Sequence, residues 1–295
     1  MNPANFEYHR PGTLDEAIGL LGRYGEDARP LAGGQSLLPI MKLRLLEPVA
    51  LVDLSRIPAL SGVGQEGEEL VLGAMTTHYT VLSSPAVKRF APLLAEAAAV
   101  IGDPQVRNRG TLGGALAHAD PGADMEAAVL ACGARVSVAG PSGTRAIPAE
   151  ELFVDLMTTS LKPDELLTNI AVPVQRPGQG GAYEKFPNPA SRFALVGVAA
   201  QVTVEGDRIT EARVALTGAA PTPQRLPAVE AALIGKAADA IDAAAAEAAM
   251  GWEANDDLHA SADYRRHLAK VLTARALKRA VAVARGESEP RFGVM

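Results

Sequence analysis

The N-terminal hydrophobic pattern begins with helical spacing. Thr13 and Glu16 have the spacing of a capping box, and the apolar residues Ile18 and Leu21 follow them. A helix is therefore predicted to run to about Gly25. Short apolar runs that follow are typical of strands. The strands predicted from them span residues 29–32, 49–53 and 69–73.

The middle of the chain returns to helical spacing. We predict one helix over residues 90–101, ended by Gly102, and a second over residues 125–132. The passage between them, residues 103–124, is polar and rich in glycine, and loops of this length are more often functional than idle. Alternating apolar residues then predict strands over residues 135–139 and 169–174.

The C-terminal part follows a stretch rich in Pro and Gly, residues 175–181, which marks the best domain boundary. Apolar residues alternate over 198–204 toward a Gly206 turn, and residues 208–216 are predicted to pair back as a hairpin. Everything after Pro227 is predicted to be helical.

Two helices are predicted in this last region. The Ala-rich residues 237–250 favour a scaffold helix because alanine has the highest helix propensity. Ser261 can cap a final helix that ends at Gly286. One face of that helix is predicted to carry Tyr264, Leu268, Val271 and Leu272.

Composition narrows the classes of function. The 295 residues are 48% hydrophobic and carry a formal net charge of -6, which gives no basic surface for nucleic acid. No apolar run predicts membrane insertion and the N-terminus does not resemble a secretion signal, so we expect a cytoplasmic protein. Cys132 is the only cysteine, so the chain by itself cannot ligate an iron–sulfur cluster through thiolates. Any metal chemistry is therefore expected on partner chains.

One glycine motif resembles a dinucleotide fingerprint but lies in the wrong context. Residues 62–67 read GVGQEG, which matches the GxGxxG spacing. That fingerprint requires a strand before it and a helix after it, whereas residues 69–73 are predicted as a strand. We therefore interpret these glycines as part of a hairpin turn.

Two other glycine loops are more informative. Residues 32–36 read AGGQS and residues 110–114 read GTLGG. Paired glycines allow successive backbone N–H groups to turn toward one point, and Ser36 and Thr111 add hydroxyl donors. A diphosphate would suit such a concavity. For either loop alone, a tight turn without a ligand is the more common explanation.

The residues around both loops resemble a known family. AGGQSLLPIMKLR at residues 32–44 and IGDPQVRNRGTLGGALAHADPGAD at residues 101–124 are similar to the FAD-binding subunit of molybdenum hydroxylases, the xanthine and carbon monoxide dehydrogenase type. The resemblance covers nearly the whole chain, including DLHASADYRRHLAKVLTARAL at residues 257–277. Two long motifs in order at family-like separation are highly specific.

The resemblance implies an α+β fold with an FAD-binding domain of the vanillyl-alcohol oxidase type. That domain is expected at residues 1–177, with subdomains of about 1–56 and 57–177. A small domain of antiparallel sheet and helices, of the carbon monoxide dehydrogenase flavoprotein type, is expected at residues 178–295.

The same resemblance implies the cofactor-binding residues and no catalytic or metal-ligating residue. Asp124 would accept hydrogen bonds from the ribose region, which suits an ionised carboxylate beside hydroxyl donors. Ile101, Leu167 and Lys185 would lie near the rings. The residues implied around the diphosphate are Ala32, Gly33, Gly34, Gln35, Ser36, Thr111, Leu112, Gly113 and Gly114.

Individual residues also have simpler explanations. Asp124 is equally well explained as the N-cap of the helix that begins at Met125, and Lys185 as a solvated lysine on a strand. The residues interpreted as loop, core or packing positions are His118, Cys132, Trp252 and His259.

The family's function implies partners. A large subunit would carry the molybdenum cofactor and a small subunit the iron–sulfur clusters, in a dimer of heterotrimers, while FAD here would pass electrons to an external acceptor. Family members that oxidise carbon monoxide often have His at the position of Gln35, and this difference weakens an assignment of carbon monoxide as the substrate. Ala115 is at a position where Asn is frequent in the family. Two alternatives are a stand-alone flavin oxidoreductase acting on a small substrate and a cofactor-free interaction subunit.

Overall fold

The computed structural model describes residues 2–293. Its helices are α1 Leu14–Tyr24, α2 Leu37–Lys42, α3 His78–Ser83, α4 Pro85–Phe90, α5 Pro92–Ala99, α6 Pro104–Arg109, α7 Leu112–His118, α8 Met125–Ala131, α9 Pro227–Leu233, α10 Ile241–Ala246 and α11 Ala262–Ala284. Its strands are β1 Glu7–His9, β2 Ala28–Leu31, β3 Ala50–Asp53, β4 Val63–Glu66, β5 Glu69–Gly73, β6 Arg135–Gly140, β7 Gly143–Pro148, β8 Phe153–Asp155, β9 Thr158–Thr159, β10 Leu166–Pro173, β11 Gln179–Pro187, β12 Ala194–Glu205, β13 Arg208–Thr217 and β14 Gln224–Arg225.

The first unit is a three-stranded parallel sheet in the order β1-β3-β2, with α1 packed against it. The Thr13 hydroxyl accepts a hydrogen bond from the backbone N–H of Glu16 at 3.2 Å, which confirms the predicted cap. Ala17 and Leu21 on the buried face of α1 join Ala28 and Val52 of the strands in one apolar cluster. The strand β2 ends at Leu31, and the first glycine loop follows directly.

The second unit is a five-stranded antiparallel sheet in the order β4-β5-β10-β6-β7. Strands β4 and β5 pair as a hairpin, so the interpretation of the GxGxxG motif as a hairpin is confirmed. The turn itself is at Gly67, which has a φ of 61° that favours glycine. Gly64 instead lies within β4.

The helices of the second unit differ from the predicted ones in two places. The helix expected over residues 90–101 is α5, which begins only at Pro92, and this proline restricts Ala91 to a φ of -144° that ends the unpredicted helix α4. The passage over residues 103–124 contains α6 and α7, which are capped by the side chains of Asp103 and Thr111. Each of these helices is too short for its apolar residues to show a helical period. Neither helix was therefore predicted from the sequence.

The C-terminal unit is a four-stranded antiparallel sheet in the order β11-β12-β13-β14, with α11 packed on β11 and β12. Its opposite face contacts α5 and α8 of the preceding unit. Ser261 caps α11 as predicted, by accepting from the backbone N–H of Tyr264. The overall α+β class and the small sheet-and-helix C-terminal domain agree with the expectation.

One detail of this unit corrects the sequence reading. The Ala-rich residues 237–250 form α10 between two short 3-10 turns, not one helix. On α11, Leu268 and Leu272 are buried against the sheet, and Tyr264, one turn before Leu268, is 42% exposed and contacts Phe186 of β11 edge-on. Within residues 2–293, no helix combines the length and apolar character needed to cross a membrane.

A buried ion-pair network joins the last unit to the second. The Glu96 carboxylate of α5 is 3% exposed and accepts two bonds from the Arg279 guanidinium of α11, at 2.8 and 2.9 Å. It also accepts from the backbone N–H groups of Tyr183 at 3.0 Å and Arg291 at 2.6 Å. Because every donor comes from the C-terminal unit, this carboxylate fixes β11 against α5. The Tyr183 and Lys185 side chains are positioned by this strand.

Candidate functional site

The two glycine loops lie against each other. A Cβ on Gly33 would collide with the carbonyl oxygen of Arg109, and a Cβ on Gly114 would lie 3.4 Å from the Cβ of Ala32. Only glycine permits such close backbone approach at position 33. The structure therefore brings the residues predicted around the diphosphate into one place, although they are separated by about eighty residues of sequence.

The first loop has unused hydrogen-bond donors. Within residues 2–293, the backbone N–H groups of Gly34, Gln35 and Ser36 donate to no protein acceptor. Gly34 has a φ of 71°, the left-handed conformation that helps successive N–H groups point to one side. The Ser36 hydroxyl precedes α2 and makes no capping bond, so it is also available as a donor. This arrangement suits an anionic group such as a diphosphate.

The second loop differs from what its sequence suggests. Leu112 donates its backbone N–H to Thr76 O, and Gly113 donates to Ala74 O, both at 2.9 Å. Gly114 donates to the Thr111 hydroxyl at 3.1 Å. These N–H groups therefore do not form a second anion-binding concavity. The Thr111 hydroxyl accepts one bond and can still donate its own proton.

Gly113 is required by packing in this loop. A Cβ there would lie 2.5 Å from the Cβ of Ala74 and 2.8 Å from its carbonyl oxygen. The contact with Ala74 is therefore enough to explain a glycine at this position. The glycine lets α7 begin directly against the segment that follows β5.

Asp124 and Lys185 form a buried pair. The Lys185 ammonium is 2.7 Å from Asp124 Oδ2 and also donates to Val100 O at 3.2 Å, and its side chain is 1% exposed. The Tyr183 hydroxyl donates to Asp124 Oδ1 at 2.7 Å. Burial raises the pKa of Asp124, while Lys185 and Tyr183 act in the opposite direction. The pair connects the start of α8 to β11.

The simpler explanation fails for Lys185 and holds for Asp124 only in its position. Asp124 is at the N-cap position of α8, but its side chain makes no capping hydrogen bond. Lys185 is on a strand as expected, but it is not solvated. An ammonium buried to this extent requires an anionic partner, since desolvation of an unpaired charge is costly.

Ile101 and Leu167 contribute to the largest apolar cluster. Leu167 is on β10 and is 6% exposed within the largest apolar cluster, against which the half-buried Ile101 also packs. The Ile101 carbonyl accepts from the Arg107 guanidinium at 2.6 Å. Within residues 2–293, no hydrogen bond joins the glycine loops to the Asp124 cluster. Direct contact of each predicted residue with the cofactor stays a prediction.

Several buried polar residues were missed by sequence reasoning. Tyr183 is separated from Lys185 by one residue, and this period of two on a strand is a signal that could have placed both on one face. Glu126 and His78 are also buried. Among the described residues, no other residue forms a hydrogen bond with either carboxylate oxygen of Glu126 or with Nδ1 of His78. Burial lowers the pKa of His78 to about 4, so this imidazole is neutral at pH 7. No pattern in the sequence marks either residue.

The remaining candidate residues have structural explanations. Burial raises the pKa of Cys132 to about 12, so its thiol is unreactive at neutral pH. The Trp252 indole donates to Ala248 O at 2.9 Å, whereas His259 is exposed, so its interpretation as a packing residue is wrong. Within the described part of the chain, no group of three or more His, Cys, Asp or Glu residues is placed to hold a metal ion.

Family models match the two halves of the chain. The model of the FAD binding domain in molybdopterin dehydrogenase matches residues 4–175. The model of the carbon monoxide dehydrogenase flavoprotein C-terminal domain matches residues 181–280. FAD fits the site described above, because the open N–H groups and hydroxyls of the first loop provide donors for a diphosphate.

Whole-chain relatives agree with these models. The carbon monoxide dehydrogenase medium chain of Hydrogenophaga pseudoflava is 44% identical over 95% of this chain and 98% of that protein. The 6-hydroxypseudooxynicotine dehydrogenase complex subunit alpha of Paenarthrobacter nicotinovorans is 36% identical over 98% and 99%. A solved structure of the Hydrogenophaga pseudoflava carbon monoxide dehydrogenase superposes with a TM-score of 0.93 over 96% of this chain and 99% of that chain, at 46% identity. The chain therefore belongs to the family of FAD-binding medium subunits of molybdenum hydroxylases, which are oxidoreductases of the xanthine and carbon monoxide dehydrogenase type.

Proposed function

We propose that this subunit takes electrons from iron–sulfur clusters on a partner and passes them to an external acceptor. Bound FAD supplies the chemistry that accepts single electrons and releases pairs. The protein's own task is to bind and orient FAD and to set the charge around it. Cys132 as the sole cysteine supports this division, because the chain cannot build a thiolate-ligated cluster through which electrons would enter.

The observation that carries the proposal is the open first loop. Its N–H groups at Gly34, Gln35 and Ser36 have no protein acceptor and precede a helix, so they are free to bind an anion. We assign the diphosphate to this loop, with the Ser36 and Thr111 hydroxyls as further donors. The second loop then supplies shape and support, because its N–H groups already have protein acceptors.

We assign the ribose and ring end of FAD to the region of Asp124 and Lys185. Lys185 is anchored on both Asp124 and Val100 O, so a group bound beside it would meet a fixed charge. Ile101 and Leu167 supply apolar contacts on the same side of the second unit in this proposal.

The complex is proposed to be a dimer of heterotrimers. Each heterotrimer contains this chain, a large subunit with the molybdenum cofactor and a small subunit with the iron–sulfur clusters. The relatives named above, a medium chain and a subunit of a dehydrogenase complex, support the presence of other subunits. The mass of the purified native complex measures the stoichiometry.

Anaerobic reconstitution tests the proposed function. With the FAD-loaded chain alone, no aldehyde, purine or N-heterocycle should bleach the flavin absorbance. After the large and small subunits are added, the substrate of the complex should bleach it within the turnover time. Bleaching of the isolated flavoprotein by such a compound would support a stand-alone oxidoreductase instead, and a colourless purified chain would support an interaction subunit.

A further inference from the structure

Glu126 is a buried acid that the proposed function does not use. It is on α8, two residues after Asp124, and it is 0% exposed. Within residues 2–293, no group outside Glu126 donates a hydrogen bond to its carboxylate, and only its own backbone N–H favours the ionised form. A buried carboxylate without a partner or a cation is strongly disfavoured compared with the neutral acid. This position therefore needs an explanation beyond packing.

The charged and titratable groups that act on Glu126 come from two elements. Asp120 and Asp124, in the segment that leads into α8, both favour its neutral form by repulsion. Tyr183 of β11 also interacts with it electrostatically. The Lys185 ammonium is committed to Asp124 at 2.7 Å and is not hydrogen-bonded to Glu126. Burial, the largest cause, raises the pKa of Glu126 from the ordinary 4.5 to about 8.

We propose that Glu126 sets the charge of the FAD site: it is a neutral acid when FAD is bound, and its ionisation weakens FAD binding. This inference rests on the proposed placement of FAD beside Asp124. Ionisation releases the Glu126 proton to solvent and leaves a third negative charge next to Asp120 and Asp124. FAD carries a negative diphosphate, so the added charge opposes binding through a medium of low dielectric.

The neutral acid also has a consequence for folding without FAD. The pKa of Glu126 in the folded chain is higher than in the unfolded chain, so the folded state binds the proton more tightly. The stabilisation is complete below about pH 4.5, decreases as pH rises toward about 8, and is absent above it. Over that window, the unfolding constant contributed by this one group rises about tenfold per pH unit.

The test compares the full-length wild-type chain with Glu126→Gln, an uncharged replacement of the same shape. Glu66→Gln is the matched control, because Glu66 is exposed on β4. For FAD, the wild-type Kd should rise about tenfold between pH 7 and pH 10 relative to the Glu126→Gln Kd. The control should follow the wild-type profile. Superimposable wild-type and Glu126→Gln profiles would overturn the proposal.

Urea unfolding of the FAD-free chain tests the neutrality of Glu126 separately from the placement of FAD beside it. The ratio of unfolding constants, wild type to Glu126→Gln, should rise between pH 6 and pH 8 and level off above that. If this ratio rises while the FAD affinities do not differ, Glu126 is a neutral acid but FAD is not placed beside it, and the proposal fails with that placement. If the ratio stays constant, Glu126 is not neutral and the proposal also fails.

A measurement on the wild-type chain covers the case in which Glu126→Gln does not fold. Carbon NMR of protein labelled at glutamate carboxyls should show one glutamate that titrates near pH 8. Absence of any glutamate titrating above pH 6 would overturn the proposal without a variant.

Discussion

The two glycine loops look alike in sequence but differ in what their backbones do. In the first loop, the N–H groups of residues 34–36 have no protein acceptor, and Ser36 makes no cap. In the second, Leu112 and Gly113 donate to the segment that follows β5, and Gly114 donates to Thr111. A glycine pair can thus either expose donors to a ligand or allow two backbones to pack. The number of unpaired N–H groups distinguishes these two uses.

The largest expected effect is at the buried Asp124–Lys185 pair, which lies outside both loops. Lys185→Met should lower the free energy of unfolding by about 3–5 kcal/mol, because it leaves the buried Asp124 carboxylate without its cation. FAD affinity should fall as well. Urea unfolding measures the first effect, and Lys236→Met, which changes an exposed lysine, is the control. A loss below 1 kcal/mol would show that Asp124 is not dependent on this pair.

A smaller effect is expected within the second loop. Gly113→Val should lower the free energy of unfolding by about 1–3 kcal/mol, because the new side chain overlaps Ala74 at 2.5 Å. FAD affinity should fall as a consequence of the displaced loop. Thermal unfolding of the FAD-free variant measures the packing effect separately. Unchanged stability with weakened FAD binding would mean that Gly113 faces the cofactor and not Ala74.

The Ser36 hydroxyl of the first loop and the Thr111 hydroxyl of the second loop are expected to have different roles. Ser36→Ala should weaken FAD binding about tenfold, the usual effect of one hydrogen bond to a charged group, with little change in stability because Ser36 makes no capping bond. Thr111→Ala should lower the free energy of unfolding by about 1 kcal/mol, because its hydroxyl caps α7. Fluorescence titration of FAD and urea unfolding measure the two quantities. Equal losses of stability in both variants would remove the distinction.

The smallest effect is expected at the GxGxxG motif. Gly64→Val should change the free energy of unfolding by about 0.5 kcal/mol or less and leave FAD affinity unchanged. A Cβ at Gly64 meets no atom within 4 Å, and the residue is exposed on β4, where valine suits a strand. The variant is also the matched control for Gly113→Val. Weakened FAD binding here would restore the dinucleotide interpretation of the motif.

Local signals predicted most of the elements. The caps at Thr13 and Ser261 and the strand β5 were predicted at the observed positions, because caps and period-two runs depend on residues close in sequence. Helix boundaries were less accurate where proline intervened, as at Pro92 between α4 and α5. Helical composition alone did not predict the interruption of residues 237–250, because alanine favours a helix without fixing its length.

The sequence by itself determined the family, the two-part α+β organisation and the absence of cysteines for a cluster, since these depend on motifs and counts. The tertiary structure decided which donors are available. Whether a glycine N–H is unused depends on what packs against it, and Ala74 and Thr76 precede the second loop by more than thirty residues. It also decided that Asp124 pairs with Lys185 and that Glu126 has no partner, because burial and electrostatics depend on groups brought together from distant segments.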